Sequence, residues 1–132
     1  MSPNYAFYLF DGLYKAGLSE VAVKLMKEGW GWMLAKGLKT CPEYFDTERS
    51  LCHAWSASPT YYLSKYVLGI NYPKEPFMEE VEIIVKAEGI DYAEGAFPHP
   101  KGIIEVKWHM DKGERIFDYV KAPMGVKVKV ME

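Results

Sequence analysis

The densest chemistry in the chain lies between Thr40 and Pro59, T-C-P-E-Y-F-D-T-E-R-S-L-C-H-A-W-S-A-S-P. These residues include Glu43, Asp46, Glu48, Arg49, His53 and Trp55, together with both cysteines, Cys41 and Cys52. An ionised Glu43 could take a proton from water. A neutral His53 imidazole could donate to or accept from a hydroxyl. The Trp55 indole offers a flat apolar face for a ring to stack on. Each residue also has a plainer reading. Glu43 is then a solvated loop acid, His53 is bonded to nearby backbone, and Trp55 packs a core. Tyr44, Asp46 and Arg49 divide the same way between hydroxyl binding and turn formation. Cys52 beside His53 lacks the third, orienting group that an activated thiol needs. Cys41, Cys52, His53 and His109 do not have zinc-site spacing, so neither metal nor cofactor is expected.

The elements around this stretch must position it. Pro42 has no backbone donor and biases Cys41 away from helix. Asp46, Thr47 and Ser50 are turn formers, so the stretch reads as a loop. Before it, Ser2-Pro3 opens a first helix that Gly17 ends. Tyr5, Leu9 and Leu13 form one stripe of that helix. Phe7, Tyr8, Phe10 and Tyr14 leave little of the rest polar, which predicts burial on more than one side. Ser19 is the expected cap of a second helix, about Glu20 to Lys36, with Val21, Leu25, Met26, Trp30, Met33 and Leu34 on its apolar side. Gly37 is its expected stop. A third helix is expected within Ala54 to Leu68, either kinked at Pro59 or starting there.

Asn71 to Pro76 breaks the helical pattern and reads as a lobe boundary. Beyond it the period becomes two. Val81, Ile83 and Val85 alternate with Glu82, Ile84 and Lys86. Ile104, Val106 and Trp108 alternate with Glu105, Lys107 and His109. Val126, Val128 and Val130 alternate with Lys127 and Lys129. Each reads as a strand with one buried face. Tyr92 to Phe97 and Glu114 to Val120 are further strands, and Asp111-Lys112-Gly113 is a hairpin turn. The expected class is α+β: three helices over 1–72, then about five antiparallel strands over 73–132 as a small sheet or sandwich.

Composition narrows function. The chain has 132 residues and a net charge of −2 with signs mixed, so no basic stripe argues for nucleic acid. No apolar run is long enough to span a membrane. The first residues lack the pattern of a signal peptide, which makes the cytoplasm the default expectation.

Three stretches in series resemble the C-terminal end of bacterial α-L-rhamnosidases, which are inverting glycoside hydrolases. They are W-G-W-M-L-A-K-G-L-K-T-C-P-E-Y-F-D, S-L-C-H-A-W-S-A-S-P-T-Y-Y-L-S-K-Y-V-L-G-I and Y-A-E-G-A-F-P-H-P-K-G-I-I-E-V-K-W. The opening S-P-N-Y-A-F-Y-L-F-D-G-L is similar to a family helix. The resemblance implies the last helices of a paired-helix barrel up to about Ile70, followed by a β-sandwich. It implies Glu43 as the general base, with His53 and Trp55 at a rhamnose-containing glycoside. Family members are several times longer, and the part without a counterpart here holds the general acid. The chain is therefore expected to be a fragment, inactive alone, whose helices pack on the rest of the barrel or self-associate. The alternative expectation is a carbohydrate-binding or structural module without catalysis.

Overall fold

The computed structural model describes residues 2–45, 49–71 and 79–131. Helices come first and strands follow, as expected of the α+β class. The chain divides into two compact units. One is Met1–Tyr62 with Ala87–Gly89, and the other is Leu63–Lys86 with Ile90–Glu132. The expected lobe boundary after Asn71 falls on residues outside those described.

In the first unit, α1 spans Pro3–Lys15 and α2 spans Ser19–Ala35. Both end in the same hydrogen-bonded turn. Leu18 N–H donates to Leu13 O and Gly17 N–H to Tyr14 O; Leu38 N–H donates to Met33 O and Gly37 N–H to Leu34 O. Gly17 and Gly37 carry the positive φ this turn requires, which a side chain would oppose. The buried stripe of α1 is Pro3, Ala6, Phe10 and Tyr14, not Tyr5, Leu9 and Leu13. Ala6 allows close approach, and the two rings beyond it fill the space that approach leaves. In α2 the buried residues are Ser19, Ala22, Val23, Met26 and Met33, while Val21 and Leu34 face outward. Ser19 does not cap the helix; Leu18 holds that position. The Ser19 hydroxyl donates instead to the Glu88 carboxylate, and Lys27 Nζ donates to Gly89 O. These bonds hold Ala87–Gly89 on α2.

The third helix is broken. A 3₁₀ turn, Ala54–Ala57, leads into a short α3, Ser58–Tyr62, and then a π-helical turn, Leu63–Val67. Pro59 sits in the first turn of α3, where its missing donor costs least. Tyr62 is fully buried; it stacks on Tyr14 at 5.7 Å, meets Phe10 edge-on at 5.5 Å, and donates from its hydroxyl to Phe7 O at 2.6 Å.

The second unit holds two three-stranded sheets. One comprises β1 (Ile70–Asn71), β2 (Glu80–Ile84) and β6 (Lys127–Met131); β1 is antiparallel to β2, whereas β6 is parallel to it. That parallel pair departs from the all-antiparallel expectation. The other is the antiparallel meander β3 (Tyr92–His99), β4 (Gly102–Asp111) and β5 (Glu114–Lys121). Lys112 and Gly113, both at positive φ, make the β4–β5 turn. Val81, Ile83, Ile104, Val106 and Trp108 are buried, so the alternation in β2 and β4 reads true. In β6 it does not, because Val130 is exposed. Trp108 Nε1–H donates to Val67 O at 2.8 Å, which satisfies the one polar atom of a fully buried ring.

On the outer side of the meander, Glu94 accepts from the Tyr119 hydroxyl at 2.9 Å and pairs with Lys107 at 3.2 Å. The Tyr119 bond first, then Lys107, holds the Glu94 carboxyl below its ordinary 4.5. A carboxylate lowered on folding contributes stability above its unfolded pKa and loses it as pH falls through the folded one. Glu94→Gln is therefore expected to flatten the decline of the thermal midpoint below about pH 4.5. An unchanged acid profile would remove this pair from the meander's stability.

Candidate functional site

The loop after α2 closes on itself. His53 N–H donates to Cys41 O at 2.8 Å and Glu43 N–H to Ser50 O at 3.0 Å. The Thr40 hydroxyl donates to Leu51 O. Pro42, fully buried, anchors the near side. The loop is fastened to the helices through Trp30. Its Nε1–H donates to Ser56 O at 2.7 Å, its ring meets Phe10 at 5.7 Å, and Phe45 stands edge-on to it at 5.1 Å. Gly29 makes room for Phe45: a Cβ there would lie 2.8 Å from that ring.

So fastened, the loop turns Glu43 and Tyr44 into a cleft of about 440 Å³. Trp55 from the 3₁₀ turn and Ser2, Asn4 and Tyr5 from the start of α1 complete its lining. Glu43 is half-buried, while Tyr5, Tyr44 and Trp55 are exposed. Among the described lining residues Glu43 is the one carboxyl. The arrangement is a single acid between three aromatic rings, with the Asn4 amide and Ser2 hydroxyl as neutral polar groups.

His53 does not line the cleft; its ring lies 4.3 Å from that of Trp55. Its Nδ1 lies 3.3 Å from Ser50 O. If Nδ1 carries the hydrogen, Nε2 is left as an acceptor. Of the sequence-derived site residues, Glu43 and Trp55 thus share one concavity and His53 touches it through Trp55. Asp46 and Glu48 lie outside the described residues. Cys41 and Cys52 are free thiols. Among the described residues no three His, Cys, Asp or Glu side chains gather as a metal site, and no helix is long and apolar enough to cross a membrane.

Sequence reasoning missed the contribution of α1. Tyr5, expected on a packing stripe, lines the cleft. The signal was the first turn itself, where Ser2, Asn4 and Tyr5 put three hydrogen-bonding side chains at one helix start. Compared with known proteins, the chain matches no family model and no curated protein.

Trp30→Phe keeps most of the ring packing but leaves Ser56 O without its donor. A buried acceptor so stranded costs about 1–3 kcal/mol. The variant is expected to be less stable by that order in urea unfolding, with faster thiol labelling of half-buried Cys41 and unchanged labelling of exposed Cys52. Unchanged Cys41 labelling would mean that the loop holds without Trp30.

Proposed function

We propose that the cleft is the base side of an inverting glycoside-hydrolase pocket of the α-L-rhamnosidase kind. The observation that carries this reading is Glu43 in one cleft with Tyr5, Tyr44 and Trp55. Aromatic faces suit the apolar face of a sugar ring, and neutral polar groups suit its hydroxyls. Glu43 would activate the water that attacks the anomeric carbon. Inversion needs a second carboxyl about 6.5–9.5 Å away to protonate the leaving oxygen. The described lining offers Glu43 alone, so the acid is expected from polypeptide beyond this cleft. The sequence resemblance supports the same division, because the stretches shared with the family are those around its base and not its acid.

A second reading keeps the sugar and omits the chemistry: a carbohydrate-binding module. A cleft with one carboxyl favours it as much as it favours half a catalytic site. The two part on what Glu43 does in a polypeptide that carries the acid. Glu43→Gln there is expected to lower turnover of an aryl α-L-rhamnoside by about 10²–10⁴-fold with little change in sugar binding. Near-normal turnover would leave only the binding module.

For the chain itself, L-rhamnose titrated against the backbone amide resonances of Tyr5, Glu43 and Tyr44, which line the cleft, is expected to give saturable shifts. Trp55→Ala is expected to abolish binding, Glu43→Gln to retain it, and no rhamnoside to be hydrolysed. Absence of saturable shifts would remove both sugar readings. Turnover by the pure chain, lost in Glu43→Gln, would mean that it contains a complete site.

A further inference from the structure

The charge in the cleft is unanswered. Glu43 lines it with Tyr5, Tyr44 and Trp55, and the other described lining residues, Ser2 and Asn4, are neutral. The described lining thus carries one negative charge and no lysine, arginine or histidine. Nor is that charge met from elsewhere. Among the described residues no cation pairs with the Glu43 carboxylate. Lys39 and Arg49, the bases nearest in sequence, are both exposed and make no such pair. Glu43 itself is half-buried. A carboxylate partly withdrawn from water gains most from a cation beside it. The rings ask for the same ligand charge. An aromatic face is the negative side of its quadrupole, so a cation within about 6 Å of the centroid is attracted to it. Among the described residues no lysine or arginine lies over Tyr5, Tyr44 or Trp55. His53, 4.3 Å from the Trp55 ring, is not part of the lining.

We infer that the cleft binds a small quaternary ammonium, with Glu43 as its counter-ion and the faces of Tyr5, Tyr44 and Trp55 against its methyl groups. Three requirements select this class. The ligand is positive, because an anion would meet Glu43 with no base to offset it, and a neutral molecule leaves the carboxylate unanswered. Its outside is apolar, because three of the six lining side chains are aromatic. It is small, because a cleft of about 440 Å³ lies toward the low end of the roughly 300–1,000 Å³ of ligand sites. A quaternary ammonium meets all three. Its charge is spread over methyl groups that lie flat on ring faces. A primary ammonium would bring three N–H donors to satisfy, and a quaternary one brings none. The Asn4 amide and Ser2 hydroxyl suit a hydroxyl on the same ligand, as choline carries. The inference stands apart from the sugar reading, since it uses no carbohydrate group.

The test titrates the full chain with choline chloride. The control probe is the uncharged alcohol in which a carbon replaces choline's nitrogen, and sodium chloride controls for salt. Choline is expected to shift the backbone amide resonances of Tyr5, Glu43 and Tyr44 saturably, with millimolar or tighter affinity. The uncharged isostere has the same shape and is expected to bind at least about tenfold more weakly. Glu43→Gln keeps the outline without the charge and is expected to weaken choline about tenfold. Trp55→Leu keeps apolar bulk without the π face and is expected to do the same while barely changing the isostere. The comparison of the two probes on the wild type needs no variant, so a misfolded variant cannot decide it. No saturable choline shift beyond that of sodium chloride, equal binding of the isostere, or choline binding indifferent to Glu43→Gln or Trp55→Leu would each overturn the inference. Rhamnose shifts without choline shifts would overturn it and leave the sugar reading standing. Choline shifts without rhamnose shifts would uphold it and remove the sugar readings.

Discussion

The helical unit depends on the indole of Trp30. Its N–H reaches the Ser56 carbonyl, its ring meets Phe10 of α1, and Phe45 from the loop packs on it in a T-shaped pair. One ring therefore ties α2 to α1, to the loop's turn and to the 3₁₀ segment that carries Trp55. A half-buried aromatic with its single donor satisfied combines apolar burial with direction, because the ring must turn so that the N–H meets its acceptor. Gly29 belongs to the same device, since only an absent side chain lets Phe45 approach. The cleft follows as a consequence. Once Phe45 and Ser56 are placed, Tyr44 and Glu43 on one side and Trp55 on the other border one space.

Trp108 does the corresponding work in the strand unit. It is fully buried, donates to Val67 O, and lies 4.9 Å beneath the Arg115 guanidinium. Gly95 again marks a close approach, for a Cβ there would fall 2.6 Å from Leu68. Both units thus use the same solution: a tryptophan whose N–H is spent on a backbone carbonyl, beside a glycine that admits a neighbouring apolar side chain.

Much of this was legible from residue order. Glycine stops after α1 and α2, the switch of period from helical to alternating, and the Lys112-Gly113 turn are local signals, and local geometry decides them. The buried side of α1 was not legible, whereas Met26 and Met33 of the expected α2 side are buried. Tyr5 and Leu9 are as apolar as Phe10 and Tyr14, and only the partners choose between stripes: Ala6 lets α1 approach, and Tyr62 stacks on Tyr14. The parallel β2–β6 pair was hidden because alternation does not encode strand direction. At the site, Glu43 and Trp55 stood out by type and setting. Tyr5 was hidden because its role is set by the fold around it, not by its neighbours in the chain. Its exposure is also the reason that α1 presents an uncovered side.

Hydrogen exchange of the tryptophan indoles tests the role of Trp30 most directly. The Trp30 indole N–H should exchange slowly, in step with the backbone N–H groups of Glu43 and His53 that close the loop, while the indole of exposed Trp55 exchanges fast. A Trp30 indole that exchanged as fast as that of Trp55, while those loop amides stayed protected, would show that something other than this ring holds the site together.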